Sequence, residues 1–230
     1  MKQSKIISAI FLLVTTGCLF FTCTPSSKYE GKPYEDAEYK SGAQVIPGKV
    51  YCAYYDLGGE GIAYHDSTEK NHGSGELNPV DGSYLHSLRI NEGVDISYTK
   101  SKEDADNSEF NLCTPPMLLP YVGWTEPGEW TKYTVDVKES GKYYVDLLYT
   151  SNKGGKVSIS VNDIDVTGPI SIKSTYHEGD PLGWRQWHHW NIANKMAEIT
   201  LKKGKNILTL HTVEEGQMNY AWLEFYLVKE

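Results

Sequence analysis

The sequence predicts an all-β domain, a β-sandwich of the jelly-roll kind. Three observations carry this. Apolar and polar residues alternate over short runs, turn residues recur about every 8–12 positions, and no long stretch has helical period. The alternation is clear from Tyr133, Val135 and Val137, through the break at Glu139-Ser140-Gly141-Lys142, to Tyr143, Val145, Leu147 and Tyr149. This reads as a hairpin. Gly154-Gly155 marks the next turn, and Val157, Ile159 and Val161 form a strand closed by Asn162-Asp163. Ala197, Ile199 and Leu201 lead into Lys202-Lys203-Gly204-Lys205, read as a second hairpin turn, and Leu208, Leu210 and Thr212 lead out. Trp222 to Val228 is an apolar-rich final strand. Residues 68–92 and 99–119 are long polar connections, a length that in a compact domain usually serves function.

Composition narrows the function. The chain has 230 residues and a net charge of −8, with no basic run beyond the Lys202–Lys205 turn. Nucleic-acid binding is therefore not expected. Tyrosine and tryptophan number 17 and 6 against only 5 phenylalanines. Such amphipathic rings suit strand faces and also surfaces that touch sugars.

Residues 1–18 read as an export signal. Lys2 and Lys5 supply the charged start, and Ile6 to Val14 form an apolar core too short to span a bilayer. Gly17-Cys18 resembles a lipoprotein cleavage site, with Cys18 as the lipidated residue. Thr15 stands where such sites usually carry leucine, and Cys23 is a competing position. Residues 19–44, rich in Pro, Ser, Lys, Glu and Gly, read as a flexible tether with a root-mean-square span of about 28 Å. The module proper is then residues 45–230. The expected address is outside the cytoplasm, on the outer membrane or cell surface, with membrane contact only through the lipid.

Four segments carry a family resemblance. They are Gly58-Gly59-Glu60-Gly61-Ile62-Ala63-Tyr64-His65-Asp66, Val122-Gly123-Trp124-Thr125-Glu126-Pro127-Gly128-Glu129-Trp130, Gly183-Trp184-Arg185-Gln186-Trp187, and Gly216 through Phe225. In this order, over about 180 residues, they resemble a family 6 carbohydrate-binding module. The resemblance implies a jelly roll with a sugar cleft in the loops at one edge. It also implies a binding set of Tyr64, Trp184 and Asn219, with Glu60, His65 and Asp66 as further contacts. Two flat rings can sandwich the apolar face of a pyranose, and an amide can both donate to and accept from sugar hydroxyls. Trp187 and Trp222 are expected in the core, and Trp124 and Trp130 are expected to be packed. Many members hold a structural calcium with carboxylates at positions that match Tyr51, Ala53 and Ala221 here, so no calcium and no other cofactor is expected.

The resulting reading is a non-catalytic binder of a plant or microbial polysaccharide. Two alternatives remain: an adhesive sandwich that binds protein partners, and a small glycosidase. Glu60, Glu126 and Glu129 could supply a carboxylate pair for the latter. His188 and His189, being adjacent on a strand, would point to opposite faces and so hold no common metal. A site at His65, Asp66 and His72 is not favoured. Gly73-Ser74-Gly75 lacks the strand-to-helix setting of a nucleophile elbow. Cys52 and Cys113 could form a bridge in an oxidising compartment, or Cys52 could be a free core thiol.

Overall fold

The computed structural model describes residues 28–78, 81–102 and 105–229. The signal segment, with Cys18 and Cys23, lies outside the described residues. Among the described residues there are thirteen strands: β1 (Gln44–Ile46), β2 (Gly48–Tyr51), β3 (Tyr64–His65), β4 (Ile96–Tyr98), β5 (Pro120–Val122), β6 (Trp130–Val137), β7 (Gly141–Ser151), β8 (Gly155–Val161), β9 (Ile164–Asp165), β10 (Ile170–Ile172), β11 (Asn191–Leu201), β12 (Gly204–Glu214) and β13 (Met218–Leu227). The one α-helix among the described residues, Tyr84–Ser87, is a single turn.

The strands form two sheets. One has the order β1-β6-β12-β8-β10, with β3 on β6 and β9 on β8; the other has the order β11-β7-β13-β5-β4, with β2 on β13. Consecutive long strands fall in opposite sheets: β6, β8 and β12 in the first, β7, β11 and β13 in the second. This alternation makes the sandwich a jelly roll. It also corrects both expected long hairpins. The turn at Glu139–Lys142 and the turn at Lys202–Lys205 each carry the chain across the core from one sheet to the other. Alternation reveals which residues face inward but not which strand lies alongside. The true two-residue hairpin is β8–β9, where Val161 pairs with Ile164. Its loop residues Asn162 and Asp163 both have positive φ, 51° and 64°. That left-handed pair matches the twist of the flanking strands.

The core between the sheets uses the inward residues read from the alternation. Tyr133, Val135 and Val137 of β6 meet Tyr143, Val145, Leu147 and Tyr149 of β7, with Ile159, Leu208 and Phe225, and all are essentially inaccessible. A second apolar cluster covers the outer face of the second sheet: Leu119, Tyr121, Leu148, Trp190, Ala221 and Trp222. A bulge in β13 between Tyr220 and Trp222 shifts the register against β7. It lets Tyr220 face the inner core while Ala221 and Trp222 join the outer cluster.

The part of the expected tether that is described, residues 28–44, packs on the domain. From residue 28 the chain lies on the sandwich. Lys32 bridges Leu57, Tyr34 is buried, and the Tyr39 ring stacks on Tyr54 with centroids 3.7 Å apart. Ring packing makes an otherwise loop-like composition part of the domain. Cys52 and Cys113 are free thiols, the first in the inner core and the second beside the outer cluster. Ala53 and Ala221 are fully buried. Next to Tyr51, the Gln44 amide accepts from Tyr51 N–H at 2.7 Å and donates to the Tyr51 carbonyl at 3.2 Å.

Candidate functional site

A cavity of about 560 Å³ opens beside the outer cluster. Four of its walls are aromatic: Tyr121 from β5, Trp124 just after it, and Trp184 and Trp187 from the segment before β11. Lys100, Lys102 and Asp106 come from the long connection after β4, and Leu77 from the other long connection. Both long polar connections singled out in the sequence thus supply lining.

The tryptophans are held in different ways. Trp124 has φ 47°, a conformation that costs energy for a side chain of its size. It is over-determined by its surroundings: its N–H donates to Asn219 Oδ1 at 3.0 Å, and Thr125 N–H donates to the Met218 carbonyl. Gly123 allows this close approach, because a Cβ there would stand 3.1 Å from Asn219 Oδ1. Trp184 sits on the one-turn helical segment Gly183–Arg185 and is 55% exposed. The next residue, Arg185, turns inward and locks the segment. Its Nε and Nη2 donate to Asp180 at 2.7 and 2.9 Å, and His189 Nε2 meets the same carboxylate at 2.8 Å. Burial works against the charged form of Asp180, but the hydrogen bonds from Arg185 and His189 prevail and hold its carboxyl well below the usual range.

The floor is a hydrogen-bonded chain. Asn219 Nδ2 donates to Thr150 Oγ1 at 2.7 Å and to His188 Nδ1 at 2.9 Å. With Nδ1 accepting, His188 Nε2–H donates to Asp106 Oδ1 at 2.7 Å. Trp190 Nε1 donates to the same oxygen, and the Lys100 backbone N–H donates to Oδ2. Burial opposes ionisation of Asp106, yet the His188 contact brings the net result to a lowered pKa. Every polar atom in this chain is satisfied, so it serves as a rigid base.

The sequence-based site is only partly assembled here. Trp184 is on the cavity wall. Asn219 is behind the wall at 0% exposure, with its amide fully engaged, and so positions Trp124 and His188 without facing the cavity. Tyr64 is not across from Trp184. It is 6% exposed in the inner core, edge-on to Tyr55, with its hydroxyl accepting from Gly93 N–H. A tyrosine on a glycine-rich loop reads as presented, but β3 pairs with β6 and turns it inward. Glu60 and His65 pair with each other at 2.5 Å, and Asp66 caps Thr68, none of them lining the cavity. Trp187 and Trp124, expected in the core or packed, are half-buried and line the cavity. Trp222 is buried as expected. Tyr121, Trp124, Trp187 and Lys100 also line the cavity and are not among the contacts expected from the sequence. The available signal was that two of the resemblance segments each carry two tryptophans, of which only one need serve the core.

Residues 119–226 match the model of the carbohydrate binding module, family 6. The matched span runs from the end of the second long connection through β13 and includes every aromatic wall of the cavity. A comparison with curated protein sequences returns no match. Among solved structures, similarity is found to a family 6 module of Clostridium stercorarium in complex with cellobiose. It has 13% identity, covers 82% of this chain and 99% of that one, and has a TM-score of 0.49. A β-1,3-glucan-binding family 6 module from Bacillus halodurans is 14% identical, with coverage of 80% and 98% and a TM-score of 0.45.

Proposed function

We propose that this chain is a non-catalytic glycan-binding protein whose site is the aromatic cavity. The observation that carries the reading is the exposed Trp184 indole on a wall shared with Trp124, Trp187 and Tyr121, inside the region that matches a carbohydrate binding module. Exposed indoles around a preformed hollow can stack on the apolar faces of sugar rings. If two faces each cover about 60 Å² of sugar, stacking contributes about 3 kcal/mol, and one or two hydrogen bonds add about 1 kcal/mol each. A total of about 4–5 kcal/mol corresponds to a dissociation constant near millimolar, so repeated contacts along a polysaccharide would raise the avidity.

Glycoside hydrolysis generally needs two carboxylates flanking the bond. The one carboxylate in the described lining, Asp106, is occupied on both oxygens. Glu129 is tied to Ser67 and to Glu126 N–H, and Glu60 is paired with His65. These placements favour holding a sugar over cutting one. The proposal extends to the address: export through residues 1–18, lipid at Cys18, and a polysaccharide of plant or microbial origin met at the cell surface. Residues 28 onward lie on the sandwich, so a lipid at Cys18 would hold the domain close to the membrane.

The test is Trp184→Ala on the purified chain. Titration with a binding glycan should show about tenfold weaker affinity, near 1.5 kcal/mol, from the lost ring face. The melting temperature should hardly move, since an exposed ring leaves no cavity. Unchanged affinity in a folded variant would sink the reading at its central residue.

A further inference from the structure

The charge on the cavity wall points to the kind of sugar. Lys100 is half-buried, and among the described residues its ammonium contacts only neutral oxygens: Ser97 Oγ at 2.9 Å, the Tyr98 carbonyl at 3.3 Å and Asn78 Oδ1 at 3.4 Å. It also lies 4.2 Å from the centroid of the Tyr98 ring. Among the described residues no carboxylate is in salt-bridge contact with it. Asp106 acts on it from beyond contact and is spent on His188, Trp190 and the Lys100 backbone. Burial lowers the Lys100 pKa and Asp106 raises it, with burial the larger effect. Lys102, exposed, is on the same wall. A charge withdrawn from water is normally paired. In a chain of net charge −8, two lysines facing one hollow are not the average surface.

We propose that the glycan taken by this cavity carries an anionic substituent, a carboxylate or a sulfate ester, which completes the pairing of Lys100 with help from Lys102 while the sugar ring stacks on a tryptophan. The inference rests on the glycan-binding reading above. Lysine acts as a point charge with rotatable donors, so it accepts either anion without demanding a planar, two-pronged partner. The partial desolvation of Lys100 strengthens the contact beyond that of a surface lysine.

The experiment titrates the purified chain with three probe sets at about 50 mM and again at about 500 mM salt, a range over which screening becomes severe. The sets are neutral β-glucan oligosaccharides, uronic-acid oligosaccharides and sulfated oligosaccharides. One anionic set should bind at least about tenfold tighter than the neutral set at low salt, and the gap should close at high salt. Which anionic set wins identifies carboxylate or sulfate. Lys100→Met keeps the apolar stem and removes the charge, and should reduce the anionic-to-neutral affinity ratio about tenfold. Lys102→Ala should reduce it less. If Lys100→Met does not fold, Lys102→Ala and the salt dependence of the unmodified chain decide. Glu103 and Asp104 lie outside the described residues, and any opposing charge they supply is included in the same salt titration. Neutral probes binding as tightly as both anionic sets would overturn this inference and leave the glycan reading standing. Binding to none of the three sets would overturn both.

Discussion

Two aromatic groups in this molecule look alike in composition and differ in fate. In the first, Tyr54 stacks against both Tyr34 and Tyr39, and the Arg89 guanidinium lies 4.6 Å from the Tyr34 ring and 3.3 Å from that of Tyr55. The chain fills this group with its own N-terminal segment. In the second, Tyr121, Trp124, Trp184 and Trp187 surround a hollow, and Trp184 is left open to solvent. The closed group is held by rings on rings. The open group is held from behind, by the Asp180–Arg185–His189 cluster and by the Asn219–His188–Asp106 chain. Rings that satisfy each other stabilise the fold. Rings kept apart by a polar frame remain available to a ligand.

The largest expected effect comes from breaking the frame of the open group. Asp180→Ala removes the carboxylate that holds Arg185 and His189, both buried, and should cost about 3 kcal/mol of stability. Chemical denaturation reads this. Glycan affinity should fall as well, since the segment that carries Trp184 and Trp187 loosens. The pH dependence has a definite sign. The Asp180 pKa is depressed in the folded state, so its contribution is full above the ordinary carboxylate range and is lost as pH falls below it. The variant should lack that share of the acid-side loss. A variant as stable as the parent would mean that the cluster is not what holds the wall.

Breaking the closed group comes next. Tyr54→Ala should cost about 2 kcal/mol, from lost ring stacking and a partly filled void, with no change in glycan affinity. Trp184→Ala should do the opposite. Should Tyr54→Ala weaken binding as strongly as Trp184→Ala, the two groups are not separate in function and the comparison fails.

The smallest effect concerns Asp95, which accepts from His72 N–H just before β4. Burial, with Asp66 and Glu129 adding repulsion, pushes its carboxyl up to about 6, although the His72 N–H hydrogen bond opposes the shift. A raised folded-state pKa means the folded protein binds this proton more tightly, so its contribution to stability grows as pH falls from above 6 towards 4. Asp95→Asn keeps an acceptor for His72 N–H and removes the charge. It should leave the protein at least as stable at pH 7 and narrow its advantage towards pH 4. Thermal melts across that range check it, and identical pH profiles for the two proteins would dismiss the shift.

Much of this protein is written locally. The inward faces of β6, β7, β8 and β12 can be read from alternation, because side chains on an extended backbone must switch sides at every residue. The Asn162-Asp163 turn is equally local, since both residues tolerate positive φ. Trp222 is buried as the last strand's apolar pattern implies. Partner choice was not local. Two apparent hairpins are crossings between sheets, because alternation is the same whether a strand pairs with its neighbour in sequence or packs opposite it. Trp184 stands exposed on the cavity wall as its glycine-flanked setting suggests, whereas Tyr64 and Asn219 are buried, and the reason is the same. Whether a ring is offered or sealed depends on what arrives from elsewhere in the chain: β6 against Tyr64, and Trp124 N–H, 95 positions away, against Asn219. Sequence by itself determined the alternating strands, their turns and the stock of amphipathic rings. The tertiary structure alone decided which rings meet each other and which are left to meet a ligand, because exposure belongs to the surroundings of a side chain and not to the side chain itself.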